Sequence, residues 1–258
     1  MKMLKITNDF IDKAPVCLPT DHRFYDLSVK INAYQGLDIC LYANNNELPT
    51  GLTGKQAAEH DEDLLEKNPL PQACVLVAIT DEPNPRLLLT RRSNRLSSHA
   101  GEVSFVGGKR DEVDKSSVDV ALREAYEEVG LDGLGVDIIG YLPMQISKKG
   151  LLVRPVVVSI PIDAVDKIMP NDDEIARVFW LPFELLKTAP TNYVFDGQLT
   201  DQTAKLHTLA WVYDVNNDGM TEIIWGLTGR ILANLMKIGF GLQYEWYYRI
   251  VKQDGLGI

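Results

Sequence analysis

The first strong pattern of apolar positions lies between residues 73 and 92, and it predicts a β-hairpin. Residues 73–80 form a nearly continuous apolar run, which favours a strand. Residues 81–85 hold turn-forming residues, and the segment 86–92 returns to the apolar pattern of a second strand. This hairpin leads into a loop rich in glycine.

A helical pattern follows between Ser116 and Gly130. Ser116 with Asp119 resembles a capping box at the start, and Gly130 supplies a residue suited to the C-terminal cap. Apolar residues recur at helical spacing between the caps: Val118, Ala121, Leu122, Ala125 and Val129. The segment is therefore predicted to be an amphipathic helix with its apolar stripe on a core.

The rest of the chain mixes strand and helix patterns. Strands are predicted at 136–141, 151–160, 175–180, 206–214 and 220–225, and helices at 182–187 and from 226 to about 238. This mixture favours an α/β fold, an α/β/α sandwich. Residues 1–70 carry no comparable pattern, and the prolines at 69 and 71 mark a boundary. We expect an N-terminal extension over 1–70 and a main domain over 71–258 that includes a C-terminal helix.

Three acids of the predicted helix, Glu124, Glu127 and Glu128, share a face away from its apolar stripe. Glu124 and Glu128 repel each other across one turn, and all three lie towards the helix C-terminus, where the helix dipole favours cations. A bound cation would remove both penalties. A solvated acidic surface is the alternative, and the helix taken alone does not decide between them.

The amino-acid composition disfavours several classes of function and location. The net charge of -10 and the pI near 4.9 disfavour nucleic-acid binding, which depends on clustered Lys and Arg. No apolar run approaches the ~18 residues of a membrane helix, and the N-terminus lacks the apolar core of a signal peptide. Three separated cysteines without a paired motif favour a reducing, cytoplasmic location. The sequence leaves the oligomeric state open, a homodimer included.

The helix and the loop before it resemble the signature box of the Nudix hydrolases. The matching positions are the pair Gly107-Gly108, Asp114 and the cluster Arg123-Glu124-x-x-Glu127-Glu128-x-Gly130-Leu131. Asp114 stands where the box has glutamate, one extra residue precedes Arg123, and Ala125 takes an aliphatic position. The resemblance implies a Nudix-type α/β/α sandwich with a mixed sheet.

The segment before the box is similar to the signature of the coenzyme A subgroup of that family. It reads Leu88-Leu89-Thr90-Arg91-Arg92-Ser93, followed by Gly101-x3-Phe105-x-Gly107-Gly108. Val106 replaces the usual proline and Ser97 an expected arginine. Residues 225–228, which read WGLT, resemble the closing segment of the same subgroup.

The resemblance implies a site for Mg²⁺ or Mn²⁺ formed by Glu124, Glu127, Glu128 and the Gly107 carbonyl. Carboxylate and carbonyl oxygens are the ligands that such hard cations take. Arg123 is expected to orient the site by pairing with Glu127 or Asp114. Glu174 is the expected general base, with Glu127 or Glu128 as alternatives and a solvated turn as the non-functional interpretation.

The expected reaction is hydrolysis of coenzyme A or acyl-coenzyme A to 3′,5′-ADP and 4′-phosphopantetheine or its acyl form. Five cations of the loop in front of the box would bind this small-molecule nucleotide substrate: Arg91, Arg92, Arg95, Lys109 and Arg110. Alternatively they pair with nearby acids. ADP-ribose or a dinucleotide such as NADH remains an alternative substrate. A non-catalytic nucleotide sensor is an alternative of another class, although such a module is expected to lose box acids.

Overall fold

The computed structural model describes residues 27, 30, 31, 71–95, 99–133, 135–199 and 202–250. Ser97, Cys17, Cys40 and most of the predicted N-terminal extension lie outside these residues. The elements are β1 (Ala73–Asp81), β2 (Arg86–Arg92), β3 (Val103–Ser104), β4 (Val106–Lys109), α1 (Ser117–Val129), β5 (Asp137–Tyr141), β6 (Gln145–Ile146), β7 (Leu152–Pro161), a 3₁₀ helix (Ile162–Lys167), β8 (Ile175–Pro182), a second 3₁₀ helix (Phe183–Lys187), β9 (Thr191–Leu199), β10 (Gln202–Asp214), β11 (Thr221–Ile224), α2 (Gly226–Phe240) and β12 (Arg249–Ile250).

The described residues form an eight-stranded mixed sheet and a four-stranded sheet. The large sheet has the order β3-β2-β1-β7-β5, with β4 beside β1, β6 beside β7 and β8 beside β2. β1 and β7 run parallel over their whole length, and the other pairs are antiparallel. β9, β11 and β12 all pair with the long strand β10.

Successive residues of β1 and β2 point to opposite faces of the large sheet and build two apolar layers. Leu76 and Leu88 pack with α1 on one face. Ile79 and Leu89 pack with α2 on the other face, where the buried Ile31 also lies. The predicted α/β/α sandwich with a mixed sheet is therefore confirmed.

The predicted strands agree with the structure to within a few residues, and the interval 86–92 is the same in both. β9 was not predicted. Its side chains from Thr191 to Asp196 are exposed or half-buried, so its sequence has no apolar run. It forms because its backbone pairs with β10 over nine residues, a long-range contact without a local signal.

α2, the longest helix among the described residues, has 15 residues, which is fewer than the ~20 that cross a lipid bilayer. No helix in the described ranges meets the requirements for a membrane span.

Candidate active site

The ends of α1 fix where its acids lie. The Ser116 hydroxyl accepts a hydrogen bond from the Asp119 N–H at 3.1 Å, as the predicted capping box requires. The Asp119 carboxylate accepts from the Lys115 N–H at 3.0 Å. Gly130 closes the helix in the left-handed conformation, with φ 71°. Because both ends are capped, Glu124 and Glu128 have a defined position beside β4.

Gly107 and Gly108 let this helix approach β4 closely. A Cβ atom on Gly108 would lie 2.5 Å from the carboxyl carbon of Glu124. A Cβ atom on Gly107, whose φ is 150°, would lie 2.3 Å from the backbone oxygen of Cys74. The first glycine is therefore required by the neighbouring strand, and the second leaves space for an acid of the helix.

Arg123 joins the loop after β4 to the acidic helix. Its guanidinium donates to Asp114 at 2.9 Å and to Glu127 at 2.9 Å, so both predicted partners are bound at once. It also donates to the backbone oxygen of Lys109 at 2.9 Å and lies 3.1 Å from Glu124. The hydrogen bond with Asp114 is the main cause that raises the pKa of Arg123. The loop and the helix are thus held together by charge-assisted bonds.

Glu128 is almost fully buried, with 4% of its surface exposed. One carboxylate oxygen accepts from the Gly107 N–H at 3.0 Å, and the other lies 3.5 Å from the Arg92 guanidinium. Burial raises the pKa of Glu128 from 4.5 to about 7, against the lowering effects of these two contacts. Burial also raises the pKa of Glu124, and Arg123 opposes that shift. For both Glu124 and Glu128, the nearby cations therefore do not fully offset the effect of burial on the pKa.

The loop before β8 brings Glu174 to the same place. The Asn171 N–H donates to the backbone oxygen of Glu128 at 2.8 Å, and the Ser93 N–H donates to that of Glu174 at 2.8 Å. The negative charge of Glu174 contributes to the raised pKa values of Glu124 and Glu128. Glu174 therefore lies close to the box acids, as its proposed role requires.

Glu127 lies apart from this group. Its side chain is 54% exposed and bound to Arg123, whereas Glu128 is buried, so the three glutamates do not share one open face. Among the described residues, no three acidic, His or Cys side chains converge closely enough to hold an ion. The assignment of Gly107, Glu124, Glu127 and Glu128 as metal ligands remains a prediction.

The five predicted substrate-binding cations are divided by the sheet. Arg92 points towards α1 and contacts Glu128, whereas Arg91 points to the opposite face and pairs with Glu222 at 3.4 Å. Arg95 and Lys109 are exposed, and no ion pair of either is seen within the described residues. In the same part of the chain, the buried Nη1 of Arg110 has no hydrogen-bond partner.

No sequence motif indicates Glu222. This residue of β11 is 1% exposed and is bound by Arg91 and by Arg177, at 3.4 and 3.3 Å. Arg91 and Arg177 are cross-strand neighbours on β2 and β8. A lone glutamate in a short strand has no motif around it, so this arrangement depends on the tertiary fold.

Comparisons with known proteins agree with this architecture. A family model described as NUDIX domain matches residues 70–202. The protein named Uncharacterized Nudix hydrolase NudL from Pectobacterium atrosepticum is 39% identical over 164 residues, which cover 64% of this chain and 80% of that protein. The protein of the same name from Yersinia enterocolitica is 38% identical over 166 residues, covering 63% and 78%. A structure of a C. elegans Ap4A hydrolase binary complex is 18% identical, with a TM-score of 0.37, and the match covers 43% of this chain and 80% of that one.

The two glycines are expected to respond differently to alanine. Gly107→Ala places a methyl group against backbone atoms of β1 and should lower the free energy of unfolding by about 2 kcal/mol or more. Gly108→Ala meets only the end of the flexible Glu124 side chain, so it should leave the melting temperature nearly unchanged but displace the Glu124 carboxylate and reduce activity. Thermal unfolding and turnover of both variants check this. Equal destabilisation by both would contradict the assigned contacts.

Glu128→Gln is expected to stabilise the chelator-treated protein at high pH. Because the pKa of Glu128 is raised in the folded state, its contribution to stability is full below pH 4.5 and is lost as the pH rises through about 7. The glutamine variant should therefore match the original protein at pH 4 and exceed it at pH 8 by about 3 kcal/mol. Urea unfolding at both pH values measures this, with the exposed Glu112→Gln as control. The same difference at both pH values would show that burial of Glu128 carries no ionisation penalty.

Proposed function

The chain belongs to the Nudix hydrolase family, and on this premise we infer that it hydrolyses the pyrophosphate of coenzyme A or acyl-coenzyme A. Family membership supports pyrophosphatase action on a nucleotide-type small molecule in general. The finer proposal is that water adds across the P–O–P linkage and gives 3′,5′-ADP and 4′-phosphopantetheine, or its acyl form.

One observation carries the choice of coenzyme A: the subgroup-like signature between Leu88 and Gly108 lies directly against the acids of the box. Its Arg92 contacts Glu128, and its Gly107 N–H donates to the same carboxylate. The segment that resembles the coenzyme A signature is thus in contact with the residues that resemble the catalytic box.

The cations at the end of β4 support a substrate with more than one phosphate group. Arg110 has a buried guanidinium nitrogen without a hydrogen-bond partner in the described residues, which is costly for a charged donor. The neighbouring Lys109 is exposed. A ligand with a pyrophosphate and a 3′-phosphate would supply acceptors for both side chains.

The proposed ligands are oxygen donors of the kind that a divalent cation takes, but no three of their side chains converge among the described residues, so Glu127 would have to turn towards Glu124 and Glu128 to join them. Two half-buried or buried carboxylates have pKa values raised by burial, and Gly108 leaves space beside one of them. Oxygens of Glu124, Glu127, Glu128 and the Gly107 carbonyl would hold Mg²⁺ or Mn²⁺, which would neutralise charge that develops on the pyrophosphate.

The chain's own groups would orient and deprotonate the attacking water. The Glu174 carboxylate would accept the proton while the water oxygen attacks phosphorus and the bridging oxygen leaves with the other phosphate. Glu128, with a pKa near 7, is an alternative base, and Glu127 a second one. Arg123 would keep Glu127 and the loop in position and take no part in proton transfer.

The alternative substrates ADP-ribose and NADH rest on two departures from the subgroup pattern, Val106 and Ser97, and the position of Val106 gives them no support. Val106 in place of proline is fully buried in β4 opposite Leu76, where its side chain packs in the core and does not face a ligand. Ser97 lies outside the described residues.

Mass analysis of products tests the proposal. Purified protein with Mg²⁺ is incubated with coenzyme A, acetyl-coenzyme A, ADP-ribose and NADH at equal concentrations. We expect 3′,5′-ADP and 4′-phosphopantetheine from coenzyme A, with a higher kcat/KM than for the other two nucleotides. Preferential release of AMP from ADP-ribose or NADH would overturn the choice of coenzyme A while leaving the hydrolase intact.

Lys109→Ala combined with Arg110→Ala is expected to raise the KM for coenzyme A more than the KM for dephospho-coenzyme A. The removed cations would bind the 3′-phosphate that only the first substrate carries. We expect a ratio of about 10-fold, the size of one charge-assisted interaction. Steady-state kinetics with both substrates measure it, and the exposed Lys149→Ala serves as control. An equal rise for both substrates would contradict a role in reading the 3′-phosphate.

Glu174→Gln is expected to lower kcat by about 10²- to 10⁴-fold, because a general base acts in the transition state. The Mg²⁺ concentration for half-maximal activity should change little. Asp173→Asn, in the same loop, is the matched control and should retain full activity. Unchanged kcat in the Glu174 variant would return this residue to a solvated turn and leave Glu127 and Glu128 as candidates.

A further inference from the structure

A second concave site lies on the face of the large sheet that is opposite α1. It has a volume of about 240 Å³, and we call it the Trp225 cleft. The lining residues that matter here are Arg91, Gly101, Glu102, Tyr193, Glu222 and Trp225. It is formed where the loop before β3 faces β9 and β11.

One wall of the Trp225 cleft is aromatic and well supported. The ring centroids of Tyr193 and Trp225 are 5.5 Å apart, and those of Phe195 and Trp225 are 4.4 Å apart. Tyr193 also stacks on Phe195, which contacts Tyr248 edge-on. Because each ring is held by another ring, the wall can present a π surface with little loss of side-chain entropy on binding.

The other wall is charged and hydrogen-bonding. Glu222 is buried between Arg91 and Arg177, so its charge is compensated and two guanidinium groups are fixed around it. The Arg91 side chain remains 42% exposed. Glu102, whose side chain is 44% exposed, adds a carboxylate at the rim, and one oxygen of this carboxylate lies 2.7 Å from Nδ1 of His99. The cleft thus combines flat apolar surface with hydrogen-bonding groups of both kinds.

The rim of the cleft is bonded to the strand end that contacts the box. The Gly101 N–H donates to the backbone oxygen of Arg92 at 3.1 Å, and the Arg92 N–H donates to that of Glu102 at 3.0 Å. The Arg92 guanidinium in turn lies 3.5 Å from Glu128. Arg92 thus connects the rim of the cleft with the acids, and a ligand that reached from one to the other would pass the end of β2.

We propose that the Trp225 cleft binds the adenine base of the substrate and is the specificity-determining subsite for its nucleoside half. The inference rests on the proposed function only in that the substrate is an adenine nucleotide. A base has the flat π face that stacks on Tyr193 and Trp225, and ring nitrogens and an amine that hydrogen-bond to Arg91 and Glu102. The volume is below the roughly 300–1,000 Å³ of sites that enclose a whole drug-sized ligand, so it suits one group of a larger substrate.

The pantetheine or acyl arm is the competing occupant. An aliphatic chain in this cleft would cover the exposed parts of the Arg91 and Glu102 side chains without offering them hydrogen-bonding groups, which is unfavourable. It would also make no use of the aromatic faces. The chemistry of the walls therefore favours the base.

Binding of the two product halves tests the proposal. Calorimetry measures the affinity for 3′,5′-ADP and, separately, for 4′-phosphopantetheine. The proteins compared are the original protein and the variants Trp225→Leu, Tyr193→Leu and Val194→Ala. Val194 is the control, because it neighbours Tyr193 on β9 but does not line the cleft. We expect each leucine variant to bind 3′,5′-ADP roughly 5- to 150-fold more weakly, the range that base–aromatic stacking supplies. Its affinity for 4′-phosphopantetheine should be unchanged. Weaker binding of 4′-phosphopantetheine with an unchanged affinity for 3′,5′-ADP would overturn the assignment.

A comparison on the unaltered protein covers the case in which a leucine variant fails to fold. Calorimetry on the original protein compares 3′,5′-ADP with ribose bisphosphate, which has no base, and we expect the base to strengthen binding within the same range. Tryptophan fluorescence should be quenched by 3′,5′-ADP alone. Equal affinities for 3′,5′-ADP and ribose bisphosphate, without fluorescence quenching, would overturn the assignment of the cleft to the base. If coenzyme A is not cleaved but 3′,5′-ADP still requires Trp225, the proposed function fails and the cleft stands.

Discussion

The position of the acids depends on one guanidinium group. Arg123 binds Asp114 of the loop, Glu127 of the helix and the backbone oxygen of Lys109. It therefore fixes the loop after β4 against α1 and, with it, the distance between Glu124 and the glycine pair. Because an arginine stays charged at any accessible pH, the cation of this connection is not lost by deprotonation.

The same interaction leaves the acids unequally compensated. Arg123 neutralises Glu127 and part of Glu124 but does not reach Glu128, whose closest cation is Arg92 at 3.5 Å. Glu128 lies instead in the interface between α1 and β4, where burial opposes ionisation. A fold that only maximised stability would place an apolar residue there. A buried carboxylate with incomplete compensation, next to a carboxylate from another loop, is the kind of local conflict expected at a functional site.

Local signals predicted much of this protein. The caps of α1 and the interval of β2 could be predicted because turn chemistry and apolar periodicity act over a few residues. The sequence allows either Asp114 or Glu127 as the partner of Arg123, since both lie within reach, and the structure shows that the fork of the guanidinium binds both. The burial of Glu128 and the role of Glu222 could not be predicted, because each depends on a contact between elements far apart in sequence.

Arg91 and Arg92 show what the alternation of side chains along a strand adds to the interpretation of the sequence. The sequence places both in one basic cluster, but neighbours on a strand point to opposite faces. Here Arg91 contacts β11 and Arg92 contacts α1. The catalytic box lies wholly within the segment matched by the family model, 70–202, whereas Glu222 and Trp225 follow it in the chain. The acids expected to carry the chemistry thus come from the segment that the family model matches, whereas part of the Trp225 cleft comes from residues after it. Arg91 and Arg92 connect the two regions, so β2 couples the recognition proposed for the cleft to the hydrolysis proposed for the box.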